Sequence, residues 1–386
     1  MVCSRTEPPD REGHFRRFSK KIEQLRVPIY GTLELTRRCN LRCLHCYLGR
    51  SIGPRQKELT TGQFLSIIDE IVDAECLDLL ITGGEPLLRE DFSTIYQRAV
   101  ERGLLVTVFT NGTLITDEVL DVFEDLPPRD VEITLYGATE DTYERITGRA
   151  GCYRRCIEGI ERLLDRGIRL ALKTVLTTLN RHEFFDIERI ARGYGVSFRL
   201  DAGLSVCFDG DRTPIALRVP PDEAVEMEFS DHDRLRQRRA YFEKTRGHEW
   251  GEALYGCSAG RTMFHIDPYG KLKPCLMTPG PEYDLLEGDF RTGWRDVLPA
   301  FLARKTDPDF SCGRCGLRGL CDACPAFFEL ETGSEQERSE YLCALAHERL
   351  AAIEAATEAS PSANSEERED RFGVGKNTPQ IALREA

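Results

Sequence analysis

The chain has 386 residues, 41% of them hydrophobic, and carries 52 Lys and Arg against 65 Asp and Glu, a formal net charge of -13. That acidic balance argues against sequence-independent nucleic-acid binding without a local basic patch. No apolar run approaches the roughly 20 residues needed to span a bilayer. The opening stretch 1–21 is charged and lacks an apolar signal core, so the 15 cysteines are expected in a reducing, cytoplasmic setting where disulfides are disfavoured.

In chain order, residues 1–28 form a basic N-terminal segment. Its stretch 11–26 reads as an amphipathic helix, either solvated or touching a partner such as an acidic leader peptide. Residues 29–36 then read as a strand. Directly after it stand Cys39, Cys43 and Cys46, spaced C-x-x-x-C-x-x-C. Cysteines at i, i+4 and i+7 could line one helix face. However, Arg37, Arg38, Asn40, Arg42 and His45 interleave with them, which is poor material for a core stripe. A loop beyond a strand, with three thiolates available to a metal or cluster, is the better reading. The apolar run 77–82 leads into Gly83-Gly84-Glu85-Pro86, 37 positions after Cys46.

The triplet, the aromatic Tyr47 directly after it, and the Gly-Gly-Glu-Pro run together resemble the radical S-adenosylmethionine (SAM) superfamily. That resemblance implies a [4Fe-4S] cluster on Cys39, Cys43 and Cys46 with one iron left for S-adenosyl-L-methionine. It also implies cofactor contacts at Tyr47, Gly83, Gly84, Glu85 and Pro86. There the paired glycines would let backbone carbonyls approach the ligand, and Glu85 would add negative charge.

Strands are expected at 77–82, 105–110, 131–135, 169–176 and 197–201, and helical periodicity fills 61–74, 92–102, 117–123, 139–146, 153–166 and 183–194. Six strand-helix units predict an α/β fold with a parallel sheet and outer helices, a partial (β/α)6 barrel of TIM type. Chemistry gathers at the C-terminal ends of such strands. The stretches 110–113, 134–137 and 173–177 should therefore face the site, nominating Asn111, Thr134 and Lys173 as further cofactor contacts. Cys76 and Cys156 read as small buried hydrophobes on helices, and Cys207 lies soon after the sixth strand.

The remaining organisation is a barrel core at 29–208, a polar linker with a bridging helix at 209–250, and a small, loop-rich cysteine domain at 251–346. A helix end and a disordered polar tail are expected at 347–386. Cys257, Cys275, Cys312, Cys315, Cys321, Cys324 and Cys343 crowd into 87 residues. Zinc is the rival ligand, but only five residues separate the two C-x-x-C pairs, much less than the roughly 15–20 of a zinc ribbon. The pattern resembles the SPASM extension of radical SAM enzymes, which implies two auxiliary iron-sulfur clusters. One would use Cys312, Cys315, Cys321 and Cys343; the other would use Cys257, Cys275 and Cys324, completed by His265 or Asp267 or left with an open iron. Anaerobic sulfatase maturases carry an acidic base where this chain has Leu276, so sulfatase maturation is not expected.

The resemblance implies an enzyme that cleaves S-adenosyl-L-methionine to a 5'-deoxyadenosyl radical and removes hydrogen from a substrate. A ribosomally made peptide is the first expectation, and a small molecule of haem or quinone cofactor formation the alternative; a non-catalytic iron-sulfur or zinc protein is the distant third. An electron donor such as flavodoxin or ferredoxin is implied. The N-terminal segment is too short for a fused peptide-binding domain, so leader recognition would fall to a separate protein or the barrel surface.

Overall fold

The computed structural model describes residues 11–49, 57–247 and 251–358. The expected tail from 359 onward, and residues 1–10 of the N-terminal segment with Cys3, lie outside the described residues. Six strands, β1 (Tyr30–Glu34), β2 (Asp78–Thr82), β3 (Leu105–Thr110), β4 (Asp130–Thr134), β5 (Leu170–Val175) and β6 (Ser197–Asp201), pair in parallel in sequence order. Helices Thr61–Asp73, Phe92–Glu101, Asp117–Asp125, Glu140–Thr147, Cys152–Asp165 and Phe184–Gly193 make the crossovers. Thr side chains set several helix starts. Thr60 and Gln63 close a reciprocal capping box, while Thr116 and Thr139 accept from the third backbone N–H of their helices.

Side chains alternate along each strand. Leu33, Leu79, Ile81, Val106, Val108, Val131, Ile133 and Leu172 pack with the helices in the main core. Burial of each such side chain contributes about 1.5–3 kcal/mol, which fixes strand register because a one-residue slip would expose the whole set. The opposite face, the inside of the partial barrel, carries Glu34, Phe109, Glu132, Lys173 and Arg199.

Three further strands were not legible in the sequence. β7 (Met263–Ile266) joins β1 in parallel, β8 (Lys271–Lys273) returns antiparallel and β9 (Tyr283–Asp284) closes the edge. The nine strands form one sheet in the order β6-β5-β4-β3-β2-β1-β7-β8-β9. Their lengths of four, three and two residues are too short for a period-2 signal. Phe264, Ile266, Leu272, Phe290 and Trp294 belong to the barrel's own core, so the boundary expected near residue 250 coincides with no break in packing. A second core joins Leu176, Phe184, Val225, Phe242, Phe301 and Leu345.

The linker is helical at Thr213–Ala216, Pro221–Phe229 and His232–Thr245. Arg349 on the last helix, Glu340–Glu358, pairs with Glu228 at 2.9 Å. Cys76 is buried as expected but stands beyond the helix Thr61–Asp73, where Glu75 adopts a φ of 73° and ends it. Cys156 is buried within the helix Cys152–Asp165.

Candidate active site

The loop after β1 is fixed from three sides. Arg42 N and Leu44 N donate to Thr147 O and Ile146 O at 2.8 and 3.0 Å, pinning it to the end of a helix. Gly84 N donates to Thr36 O at 2.7 Å and Glu85 N to Arg38 O at 2.9 Å. A Cβ on Gly83 would stand 2.4 Å from Thr36 O, and one on Gly84 2.4 Å from Arg38 O. The paired glycines thus permit the close approach of the loop backbone.

Glu85 is fully buried and accepts from Thr110 Oγ1 and Asn111 N, both at 2.7 Å, and from Leu87 N at 3.1 Å. Both its oxygens are therefore spent on the ends of neighbouring elements. Burial pushes its carboxyl up to about 7. Pro86, also buried, opens the short helix Pro86–Leu88.

Asn111 is turned to the cysteine loop. Its Nδ2 donates to Asn40 Oδ1 at 2.8 Å and lies 3.9 Å from Cys39 Sγ, while its Oδ1 accepts from Thr113 N and Oγ1. Asn40 Nδ2 donates in turn to Thr113 Oγ1 at 2.8 Å. The end of β3 is a brace for Cys39, which leaves the Asn111 side chain little capacity for an outside ligand.

The three thiols meet electrostatically. Burial, then the charges of Glu85 and Cys46, raise Cys39 to about 11; burial, then Cys46 and Cys39, raise Cys43 well above the ordinary thiol value, and burial raises Cys46 as well. Thiols that crowd in this way fit a cationic occupant, which would hold them as thiolates. Tyr136, just beyond β4 and within the stretch 134–137 expected to face the site, hydrogen-bonds Cys43, and burial beside the three cysteines raises its phenol. Thr134, buried at the end of β4, hydrogen-bonds Tyr136.

Tyr47 rests edge-on to Phe208 with ring centroids 5.3 Å apart, and Phe208 N donates to Tyr47 O at 2.9 Å. Burial, Glu34 and Cys46 raise its phenol. Cys207 Sγ donates to Cys46 O at 3.2 Å, which sets this thiol beside the cysteine loop. Lys173 lies level with Thr134 across the β4–β5 ladder. Its Nζ is 3.6 Å from Glu132 Oε2 and 3.1 Å from the centre of the Phe109 ring, and burial lowers its pKa to about 7.

The C-terminal cysteines gather in two sets. Cys275 and Cys324 are raised by burial, with Cys257 acting on both and Cys324 on Cys275. Cys312 and Cys321 are raised by burial, with Cys315 and Cys343 acting on both. One pocket is lined by Cys312, Cys315, Arg318, Cys321 and Cys343. Of His265 and Asp267, expected as possible completing ligands for the first set, Asp267 is held by other partners, whereas neither ring nitrogen of His265 has a hydrogen-bond partner. His265 faces Glu34, and Asp267 accepts from Tyr269 N and Lys271 N and pairs with Arg37. Among the described residues no three His, Cys, Asp or Glu side chains are drawn in tightly enough to hold a metal ion as they stand. No described helix is long and apolar enough to cross a membrane.

A barrel whose strand ends carry this braced triplet defines a class. Residues 33–192 match the radical SAM superfamily; the chain belongs to that superfamily and is a radical SAM enzyme with a SPASM-type C-terminal region. Among its relatives is the AdoMet-dependent heme synthase of Methanosarcina barkeri, 27% identical over 83% of this chain and 97% of that protein. Another is the mycofactocin maturase MftC of Mycobacterium tuberculosis, 30% identical over 78% of each chain. The fold is similar to that of Streptococcus suis SuiB bound to S-adenosylmethionine, with a TM-score of 0.65 at 17% identity over 89% of this chain and 82% of that one.

Proposed function

We propose that this enzyme matures a ribosomally made peptide. The observation that carries the reading is the 30% identity to a maturase along 78% of both chains. When bound, the [4Fe-4S] cluster and S-adenosyl-L-methionine supply reductive carbon-sulfur cleavage and removal of a substrate hydrogen atom. The chain's own residues hold and orient. Cys39, Cys43 and Cys46 would ligate the cluster, with Asn111 and Tyr136 as hydrogen-bond donors beside the Cys39 and Cys43 sulfurs. Such bonds to cluster sulfurs help set a potential. The backbone of Gly83 to Pro86, Tyr47, Thr134 and Lys173 would border the cofactor. Cys312, Cys315, Cys321 and Cys343 would hold one auxiliary cluster, and Cys257, Cys275 and Cys324 another. A cytosolic flavodoxin or ferredoxin would deliver the electron, and a separate leader-binding protein would present the peptide.

The test is anaerobic reconstitution and reduction with S-adenosyl-L-methionine, followed by mass spectrometry of a short peptide encoded beside the gene. Release of 5'-deoxyadenosine with a mass change in the peptide is expected. Release that leaves the peptide unchanged would refute peptide maturation. The haem synthase relative, matched over 97% of its own length, favours a second reading in which a porphyrin-type metabolite is the substrate. Conversion of an iron porphyrin in the same assay would support it.

A further inference from the structure

The pocket lined by Cys312, Cys315, Cys321 and Cys343 is also lined by two arginines, Arg318 and Arg338, whose settings differ. Arg338 stands at the surface. Its side chain is 47% exposed, and its Nε pairs with Glu340 Oε1 at 2.9 Å. Arg318 is half-buried and opens the short helix Arg318–Cys321, which is held on two sides. A Cβ on Gly319 would stand 2.3 Å from Thr245 Oγ1, so this turn lies hard against the helix His232–Thr245. Arg349 on the last helix donates from Nη1 to Leu320 O at 2.7 Å, and Arg318 N donates to Cys315 O at 3.3 Å.

A guanidinium keeps its charge, so its removal from water must be offset by opposite charge nearby. Burial pulls the Arg318 pKa down, and the charges that oppose this are, in order, those of Cys312, Cys257, Cys321 and Cys315. Three of these cysteines belong to the pocket, and Cys257 belongs to the neighbouring set. In the empty pocket burial favours their neutral thiols, raising Cys312 and pushing Cys321 up to about 12. Neutral thiols do little to offset a half-buried cation. An occupant that holds the sulfurs as thiolates supplies the missing negative charge. The donor set and the cation together therefore fit a thiolate-bound, anionic cluster.

We infer that Arg318 is a positioning residue that raises the reduction potential of the cluster on Cys312, Cys315, Cys321 and Cys343. Reduction adds a negative charge to the cluster, and a fixed cation beside its ligands stabilises the reduced form more than the oxidised one. The charge also reaches Cys257, so the neighbouring cluster shifts in the same direction by a smaller amount. Arg338 contributes less, because water and Glu340 screen it.

This inference rests on the reading of the C-terminal cysteines as auxiliary iron-sulfur ligands, which metal analysis of the wild type tests by itself. Zinc in place of iron at this set would remove that reading and the inference with it. With iron in place, the test is a redox titration followed by electron paramagnetic resonance on the full-length, anaerobically reconstituted protein. The signal that disappears in Cys321→Ala identifies the cluster. In Arg318→Gln its reduction equilibrium should fall about tenfold, a midpoint lower by about 59 mV for a one-electron couple. Arg318→Lys, which keeps the charge, should restore most of that fall, and Arg338→Gln should cause less than half of it. An unchanged midpoint in Arg318→Gln, or equal falls in the Gln and Lys variants or in Arg318→Gln and Arg338→Gln, would overturn the assignment. Should Arg318→Gln lose the cluster's iron, retention in Arg318→Lys would tie the cluster to the charge. Loss from both variants would make Arg318 a structural residue and overturn the inference.

Discussion

Cys207 brings a fourth thiol to the first trio, and its hydrogen bond decides what it is for. It donates to the Cys46 carbonyl at 3.2 Å, a backbone contact that leaves the trio one ligand short of a closed cluster. Cys207→Ala is therefore expected to retain iron and 5'-deoxyadenosine release, whereas Cys43→Ala loses both; loss in both variants would make Cys207 a ligand. Lys173 gives a second prediction. Burial lowers it from 10.5 to about 7, so between those values the unfolded chain binds more protons than the folded one. Stability then rises as pH goes from 7 toward 10.5. Replacing Lys173 with Met should flatten that rise in thermal denaturation of the metal-free protein, and parallel profiles would contradict it. The cysteines and the Gly83–Pro86 run were legible in the sequence because each motif is local. The Tyr136–Cys43 bond, the Asn111 brace and the Glu34–His265 pair were not, since each joins residues far apart in the chain through strand order.

Among the elements, the six strand-helix units were legible because each strand buries an alternating apolar set and each helix an apolar stripe. The seam between β1 and β7 was not, because a four-residue strand pairing in parallel across more than two hundred positions leaves no local mark. The turn after β2 is where a single methyl group would be felt most. In Gly84→Ala the added Cβ would stand 2.4 Å from Arg38 O and 2.6 Å from Arg37 O, both backbone atoms that cannot rotate away. A destabilisation of about 1–3 kcal/mol is expected, with weaker binding of S-adenosyl-L-methionine as the cysteine loop is pushed off. Calorimetry of both quantities checks this. A variant with unchanged stability and affinity would show that the contact between residues 36–38 and 83–84 does not set the site.

For the whole molecule, the shared sheet and the core that runs from the barrel into Phe264, Phe290 and Trp294 tie the two cysteine regions into one body. That continuity hid the expected boundary near residue 250, and the grouping of the C-terminal cysteines was an expectation from the SPASM resemblance, since their spacing alone assigns no cysteine to a set. Anaerobic reconstitution should give about ten to twelve irons per chain if all three sites hold four-iron clusters. Cys321→Ala should lose about four of them while still releasing 5'-deoxyadenosine. An unchanged iron count would remove Cys321 from its set.

The most direct test of the open first site is electron paramagnetic resonance of the reduced enzyme before and after addition of S-adenosyl-L-methionine. A changed signal in the wild type that is absent in Cys43→Ala is the predicted result. A spectrum indifferent to the cofactor would contradict the assignment of Cys39, Cys43 and Cys46 as the place where it binds.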